Sequence, residues 1–561
     1  MKKLINEPGT VVREMLEGVV LQNPDTSILP DENVVVRTDL PELSERKVAI
    51  LSGGGSGHEP AHAGYVGRGM LTAAVAGDVF TSPSTDAVLA AIRAVSGPAG
   101  ALLIVKNYTG DRLNFGLAAE LARAEGSPVE VVLVADDVAL RDTVPPERRR
   151  GIAGTIFVHK VAGAAAERGL PLAEVARLAR LVAESVASMG IALGSCTLPA
   201  VGKPGFSLGH DEIEVGLGIH GEQGVRRMPI TSVDRLTTLI IDTMEADRPF
   251  VAGDHVALLV NGLGSTPPME LAIVARSALS QFKARELVVD RAWSGTFLSA
   301  LDMPGFSLSL LRLDPEILQC LDAPTGAPSW PGGGAVNATP TMPADAVAER
   351  PDDPGIIPSA EGKKVQAAAR RVAEVLIAAE PQLTELDSIA GDGDLGASLK
   401  RGGEAILALP DSAFLDPSTG LASIGNALRR AIGGSSGPFY ATGLLRASRR
   451  LADRSSPMAT DWADAFQLAV QAISDLGGAK PGDRTMIDAL QPAADAFGIA
   501  IRNRVNWPIA LREAAEAAEK GAEATKNMRP RLGRASYLAD RVQGVPDGGA
   551  VAVSIWMKGL L

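Results

Sequence analysis

All six histidines of the chain lie between His58 and His255, whereas a glycine-separated carboxylate cluster, Asp387, Asp392 and Asp394, lies far downstream. Imidazole chemistry is therefore confined to the first half. A metal held in the second half must be bound by carboxylates, other oxygens or phosphates, and should be a hard ion. Three segments of the first half concentrate groups that could do chemistry. In Gly53-Gly54-Gly55-Ser56-Gly57-His58-Glu59-Pro60, glycines would let backbone N–H groups approach a small polar ligand, with His58 directly behind them. No Lys-Ser/Thr pair follows and the spacing is not that of a dinucleotide fingerprint, so this is neither familiar phosphate loop. Lys106-Asn107-Tyr108-Thr109-Gly110-Asp111 offers a cation and a carboxylate that could bind and deprotonate a hydroxyl. In Gly216-Leu217-Gly218-Ile219-His220-Gly221-Glu222, glycines leave space beside an imidazole that, when neutral, can attack a carbonyl carbon.

Two further sets lie in the second half. Residues 386–394, LDSIAGDGD, place three carboxylates within eight positions. Like charges so close repel, and a bound cation relieves that cost. The spacing is not that of an EF-hand and suits Mg2+ joined to substrate phosphates. Glycine-rich turns recur at Gly433-Gly434-Ser435-Ser436-Gly437, at 477–486, at Gly533-Arg534-Ala535-Ser536 and at Asp547-Gly548-Gly549. Free N–H groups where helices begin bind anions readily. Taken singly, each segment has an ordinary structural reading as well: a turn, an N-cap, a loop histidine, a solvated acidic turn, helix punctuation.

The elements that must position these groups follow from the pattern. Residues 1–330 alternate short β-branched runs (48–51, 101–105, 129–134, 255–260, 287–289) with helical stretches, one of them starting at Asn114. This predicts an α/β domain with ligands beyond the strand ends, divided into two subdomains near 180–200. Residues 331–358 are rich in Pro, Gly and small residues and read as a linker. Residues 359–561 follow a 3.6-residue period, with strand-like sequence only at the very end, and read as an all-helical domain. With 46% hydrophobic and 21% charged residues, the chain is globular. A net charge of −12 without a basic run argues against nucleic acid as a partner. Two cysteines, Cys196 and Cys320, exclude a disulfide framework. The absence of a signal-like or membrane-spanning stretch makes a cytoplasmic protein with no membrane partner the expectation.

Together the ordered motifs resemble the dihydroxyacetone kinase family. SGGGSGHEPAHAGYVGRGML, KNYTGDRLNFGLAAE and GLGIHGE are similar to its substrate-binding domain. The DSIAGDGD stretch, GGSSGP, AKPGDRTMIDAL and GRASYL are similar to its nucleotide-binding domain. The resemblance spans nearly the whole chain and implies a single-chain, ATP-dependent form whose second domain is an eight-helix barrel. It implies that His220 adds to the substrate ketone as a hemiaminal, and that His58 and Asp111 bind hydroxyls, Asp111 as base. Gly55, Ser56, Gly57 and Lys106 would complete the substrate contacts. Asp387, Asp392 and Asp394 would hold Mg2+, two ions, on ATP. Leu395, Ser398, Ser435, Ser436, Gly477, Met486, Arg534, Asp547 and Gly549 would line the nucleotide. Leu395 departs from the family, many members of which carry His or Cys there. The family further implies a homodimer, with one chain's helical domain serving the other chain's substrate site. Readings that stay open are a four-carbon ketose such as erythrulose, a side activity on FAD, and a non-catalytic ketose-binding regulator, which the intact carboxylates oppose.

Overall fold

The computed structural model describes residues 2–338, 357–454, 456–532, 536 and 542–561. The chain divides into two compact units, Met1–Met342 and Pro343–Leu561. The first begins with α1 (Val11–Leu21), β1 (Thr26–Ile28), β2 (Val34–Arg37), β3 (Ala49–Ser56) and β4 (Ala73–Val79). It continues with α2 (Thr85–Val95), β5 (Ala101–Lys106), α3 (Thr109–Ala124), β6 (Val129–Val134), α4 (Thr155–Glu167) and α5 (Leu172–Ser185). These strands form one sheet in the order β1-β2-β4-β3-β5-β6, parallel from β4 to β6. After β3 the chain first builds β4 on one side and then β5 on the other. The ends of β3 and β5 thus flank a switch point, where open parallel sheets bind ligands.

Strands β3 and β5 are buried along their whole lengths because both faces of the sheet are covered. Ile50, Leu102 and Ile104 point into one core, and Ala49, Leu51, Leu103 and Val105 into another with α2 and α3. A second sheet is built from β7 (Val186–Ala192), β8 (Glu212–Val215), β9 (Arg226–Pro229), β10 (His255–Gly262), β11 (Val288–Gly295) and β12 (Gly305–Arg312), with α6 (Val233–Asp247), α7 (Pro268–Ala284) and α8 (Pro315–Asp322). Its order is β11-β10-β12-β7-β8-β9. One apolar core takes residues from both sheets, α4 and α5. Helix α4, TIFVHKVAGAAAE, is buried from residue 155 to 166, the polar His159 and Lys160 included. A Cβ on Gly163 would lie 2.3 Å from Met70 Cα, so the packing there tolerates no side chain.

The second unit is helical: α9 (Ala360–Ala378), α10 (Glu380–Ala390), α11 (Leu395–Leu407), α12 (Pro417–Ala431), α13 (Ser436–Leu451), α14 (Ala459–Gly477), α15 (Ile487–Arg502), α16 (Trp507–Ala524) and α17 (Gly548–Gly559). They surround an apolar cavity of about 810 Å³ lined by residues such as Leu376, Leu399, Ile424, Trp462 and Phe497, so this is a barrel and not a filled bundle. The α/β unit followed by a helical unit agrees with the fold expected from sequence. Among the described residues no helix is long and apolar enough to cross a membrane.

Local expectations needed revision. The glycine cluster is not a loop: Gly53, Gly54 and Gly55 continue β3 and pair with Val75, Ala76 and Gly77 of β4. Helix α3 starts at Thr109, ahead of Asn114. The strand-like C-terminal residues form α17. Of the stretch read as linker, residues 332–335 lie against β11: Gly332 O accepts from Trp293 Nε1 (2.8 Å) and Gly334 O from Ala292 N (2.7 Å). Residues 339–356 of that stretch lie outside the described residues.

Candidate active site

At the carboxyl ends of β3 and β5, close backbone packing creates a small polar chamber. A Cβ on Gly53 would sit 2.2 Å from Val75 O, and one on Gly55 2.5 Å from Thr81 N. Gly54 has φ +144°, and a Cβ there would sit 2.6 Å from Lys106 Nζ and 3.5 Å from Asp111 Oδ2. The missing side chain is the space across which ammonium and carboxylate face each other. Lys106, the last residue of β5, is wholly buried and donates to Gly53 O (3.2 Å) and His62 Nε2 (2.7 Å). Asp111, in the first turn of α3, is 2% exposed, and its Oδ1 has no partner. Burial pulls the Lys106 ammonium below its usual range while Asp111 opposes the shift. Burial likewise pushes the Asp111 carboxyl up, against the pull of Lys106 and a Ser82 hydrogen bond.

The imidazoles lie beside this pair. His58 Nδ1 is 2.9 Å from Ser299 O, which can only accept, so Nδ1 carries the proton and the buried, unpartnered Nε2 is an acceptor. His220 is boxed by three rings, with centroids 4.9 Å from His58, 5.3 Å from Phe80 and 4.4 Å from Tyr108. Burial first, and then Lys106 and Arg150, pull its pKa down to about 4, with Glu222 pulling the other way. The ring is neutral at physiological pH and keeps a nucleophilic lone pair. The Ser56 hydroxyl is turned away, donating to Gly77 O (2.7 Å), and Gly57 N donates to Glu59 Oε1 (3.0 Å). Three buried polar atoms, His58 Nε2, Asp111 Oδ1 and the Tyr108 hydroxyl, thus have no partner among the described residues. Buried groups of this kind are rare and call for a ligand or water. Phe80, His62 and Arg150 were not singled out from sequence. Phe80 belongs to no motif and is marked only by its strained φ of +58°.

In the helical unit, ligand atoms of Asp387, Asp392 and Asp394 lie within 4.8 Å of one another. Asp387 lies in the last turn of α10, and its Oδ2 accepts from Asp394 N (2.9 Å) and Leu395 N (3.2 Å), which folds the loop back on the helix. Gly391 permits this, since a Cβ there would meet Asp387 Oδ1 at 2.2 Å. An all-oxygen, partly exposed donor set fits Mg2+ shared with a phosphate. Leu395 opens α11 and Ser398 lies buried in its first turn. Ser435 precedes and Ser436 opens α13, Met486 precedes α15, and Asp547 caps α17 by accepting from Ala550 N (2.8 Å). A Cβ on Gly548 would be 2.9 Å from Leu395, and one on Gly549 3.5 Å from Met486 Cβ, so three of these N-termini meet. Gly477 ends α14 against Phe439, in the first turn of α13. Arg534 lies outside the described residues. The acidic cluster therefore adjoins converging helix N-termini, a combination suited to a polyphosphate with its cation.

A chamber holding a neutral imidazole beside a buried lysine–carboxylate pair, joined in one chain to such a helical unit, has the parts expected of a two-domain kinase. A Dak1 domain model matches residues 17–329 and a DAK2 domain model residues 389–561. The chain is 44% identical over 585 residues to a putative 3,4-dihydroxy-2-butanone kinase of Solanum lycopersicum, covering 99% of this chain and 97% of that protein. It is 42% identical over 574 residues to a triokinase/FMN cyclase of Homo sapiens, covering 100% and 99%. The crystal structure of the dihydroxyacetone kinase from C. freundii in complex with AMP-PNP and Mg2+ is similar with a TM-score of 0.65 and 36% identity, covering 100% of this chain and 99% of that one. The chain belongs to the dihydroxyacetone kinase family.

Proposed function

We propose that this enzyme transfers the γ-phosphoryl group of ATP to a terminal hydroxyl of dihydroxyacetone, giving dihydroxyacetone phosphate. The observation that carries the reading is the neutral, boxed His220 beside buried acceptors that have no partner. His220 adds its N–H across the ketone: an N–C bond forms, the carbonyl oxygen takes up a proton, and the ring's other nitrogen gives one up, so no co-reactant is needed. A ketone is required, so glycerol is rejected. His58 Nε2 and Asp111 Oδ1 accept from the substrate hydroxyls, and Asp111 takes the proton of the attacking one. Lys106 faces Asp111 across Gly54, and the backbone of Gly55, Ser56 and Gly57 closes the chamber. Asp387, Asp392 and Asp394 would hold Mg2+, two ions in this reading, which supplies charge neutralisation on the phosphates. Leu395, Ser398, Ser435, Ser436, Gly477, Met486, Arg534, Asp547 and Gly549 are taken to line the nucleotide. The enzyme is taken to act as a cytoplasmic homodimer on small solutes, and light scattering on the purified chain tests the dimer.

The deciding experiment is ADP release with Mg·ATP, comparing dihydroxyacetone, D- and L-erythrulose and glyceraldehyde by kcat/KM. Preference for dihydroxyacetone is expected. The similarity to a protein named for 3,4-dihydroxy-2-butanone favours one second reading, the same chemistry on a four-carbon ketose. Preference for one erythrulose would adopt it, and absence of ketose-dependent turnover would refute both. The similarity to a protein named also for FMN cyclase makes FAD the further substrate to assay.

A further inference from the structure

His220 sits on a loop containing Gly216, Gly218 and Gly221, three residues that by themselves hold no fixed shape. Its side chain is boxed by rings, but its backbone is held by something else. The His220 N–H donates to Glu222 Oε2 (2.8 Å). The other oxygen of that carboxylate faces Arg150 Nη1 (3.4 Å), while Arg150 Nη2 donates to Gly216 O (2.8 Å). Arg150 therefore ties the first and last residues of the loop together. Glu222 folds across the space at Gly218, where a Cβ would lie 1.6 Å from Glu222 Oε1.

The guanidinium is itself anchored. Arg150 Nε and Nη2 lie 2.8 and 2.7 Å from Oδ2 of the buried Asp137, just beyond β6. That segment is fixed to its surroundings, since Asp136 accepts from Ile152 N and Gly154 N, and Ser188 N of β7 donates to Asp136 O. A planar fork with five donors can serve Asp137, Gly216 O and Glu222 at once, and an ammonium cannot.

We propose that Arg150 and Glu222 are positioning residues for His220, a clamp that transfers the rigidity of the β6–β7 junction to the glycine-rich loop and sets the imidazole at attacking distance from the ketone. The clamp rests on the reading of His220 as the ketone-binding group. It acts on geometry, because a misplaced reacting group loses rate steeply, and on charge. The groups that bear on the His220 ring are Glu222, Lys106 and Arg150, together with the rings of His58, Phe80 and Tyr108.

The test uses the full chain with histidine labelled at Cε1, whose six resonances are resolved by single substitutions, together with steady-state kinetics at neutral pH. Addition of dihydroxyacetone to the wild type should shift the His220 resonance. No shift there would sink the role of His220 itself and not the clamp. In Glu222→Ala and Arg150→Met the ketose KM and the ketose concentration needed for that shift should rise about tenfold or more, with KM for ATP unchanged. Glu222→Gln, which keeps an acceptor for the His220 N–H, should recover most of the loss, and Arg150→Lys should recover little. The double variant should be no worse than either single one, because the two residues act as a unit. Wild-type ketose affinity in the single variants, a parallel rise in KM for ATP, additive losses, or a Glu222→Gln variant as poor as Glu222→Ala would each overturn the proposal. Glu222 is 35% exposed, so its variants are expected to fold even if those of Arg150 do not.

Discussion

At the scale of single residues, the site contains charges and lone pairs held out of water. In the proposed reaction His220 would serve because burial keeps it neutral, and Asp111 because burial raises its affinity for a proton without a second partner on Oδ1 among the described residues. Replacing His220 by Ala should abolish the covalent adduct and raise the ketose KM strongly while ATP binding is unchanged. An adduct that persists in the intact mass of this variant would refute the assignment. Asp392→Ala should lower phosphoryl transfer by at least about 10²-fold, while calorimetry still detects ketose binding. Wild-type turnover there would remove Asp392 from the metal site.

The scale of elements decides how those residues reach one another. The glycines of β3 are paired strand residues whose missing side chains let β4, the turn at Phe80 and the Lys106–Asp111 pair close in. Gly53→Ala should destabilise the first unit by about 1–3 kcal/mol through overpacking against Val75 O, read as a lower urea midpoint with its slope unchanged. Intact stability would mean that the pairing of β3 with β4 is looser than described. This element was only half legible in the sequence. Clustered glycines mark close backbone approach, but whether they turn or continue a strand depends on β4, which pairs with them from some 20 residues away. Helix α17 shows the same limit in reverse. Its run Val551-Ala552-Val553-Ser554-Ile555 has the pattern of a strand, yet Ala552 and Val553 are buried among the barrel helices. Tertiary burial outweighs local propensity there.

For the whole first unit, the helix shared by two sheets carries an electrostatic cost. His159 on α4 is completely buried, and neither ring nitrogen has a partner among the described residues. Burial first, then Lys106, lowers its pKa from 6.5 to about 3. The sign follows from linkage: below the unfolded value the unfolded chain binds a proton that the native chain refuses, so stability is lost as pH falls from about 6.5 toward 3. His159→Leu should remove this dependence. Its stability relative to the wild type should be constant above pH 6.5 and grow by about 1.4 kcal/mol per unit as pH falls below it, measured by urea unfolding between pH 5 and 8. A difference independent of pH would mean that His159 is solvated or paired.

The sequence alone determined the two-unit plan, the confinement of imidazole to the first unit, the place of the Asp387, Asp392 and Asp394 cluster in the second, and the motifs through which the family resemblance was seen. These are matters of composition, period and spacing, which local interactions and chain order fix. The tertiary structure alone brought His62, Phe80 and Arg150 to the chamber, left His58 Nε2 and Asp111 Oδ1 without partners, and joined the N-termini of α11, α15 and α17 beside the acidic loop. Those arrangements depend on contacts between residues tens to more than a hundred positions apart. No local pattern encodes such contacts, because only the packing of whole elements decides which distant side chains share a space and which buried atoms are left for a ligand.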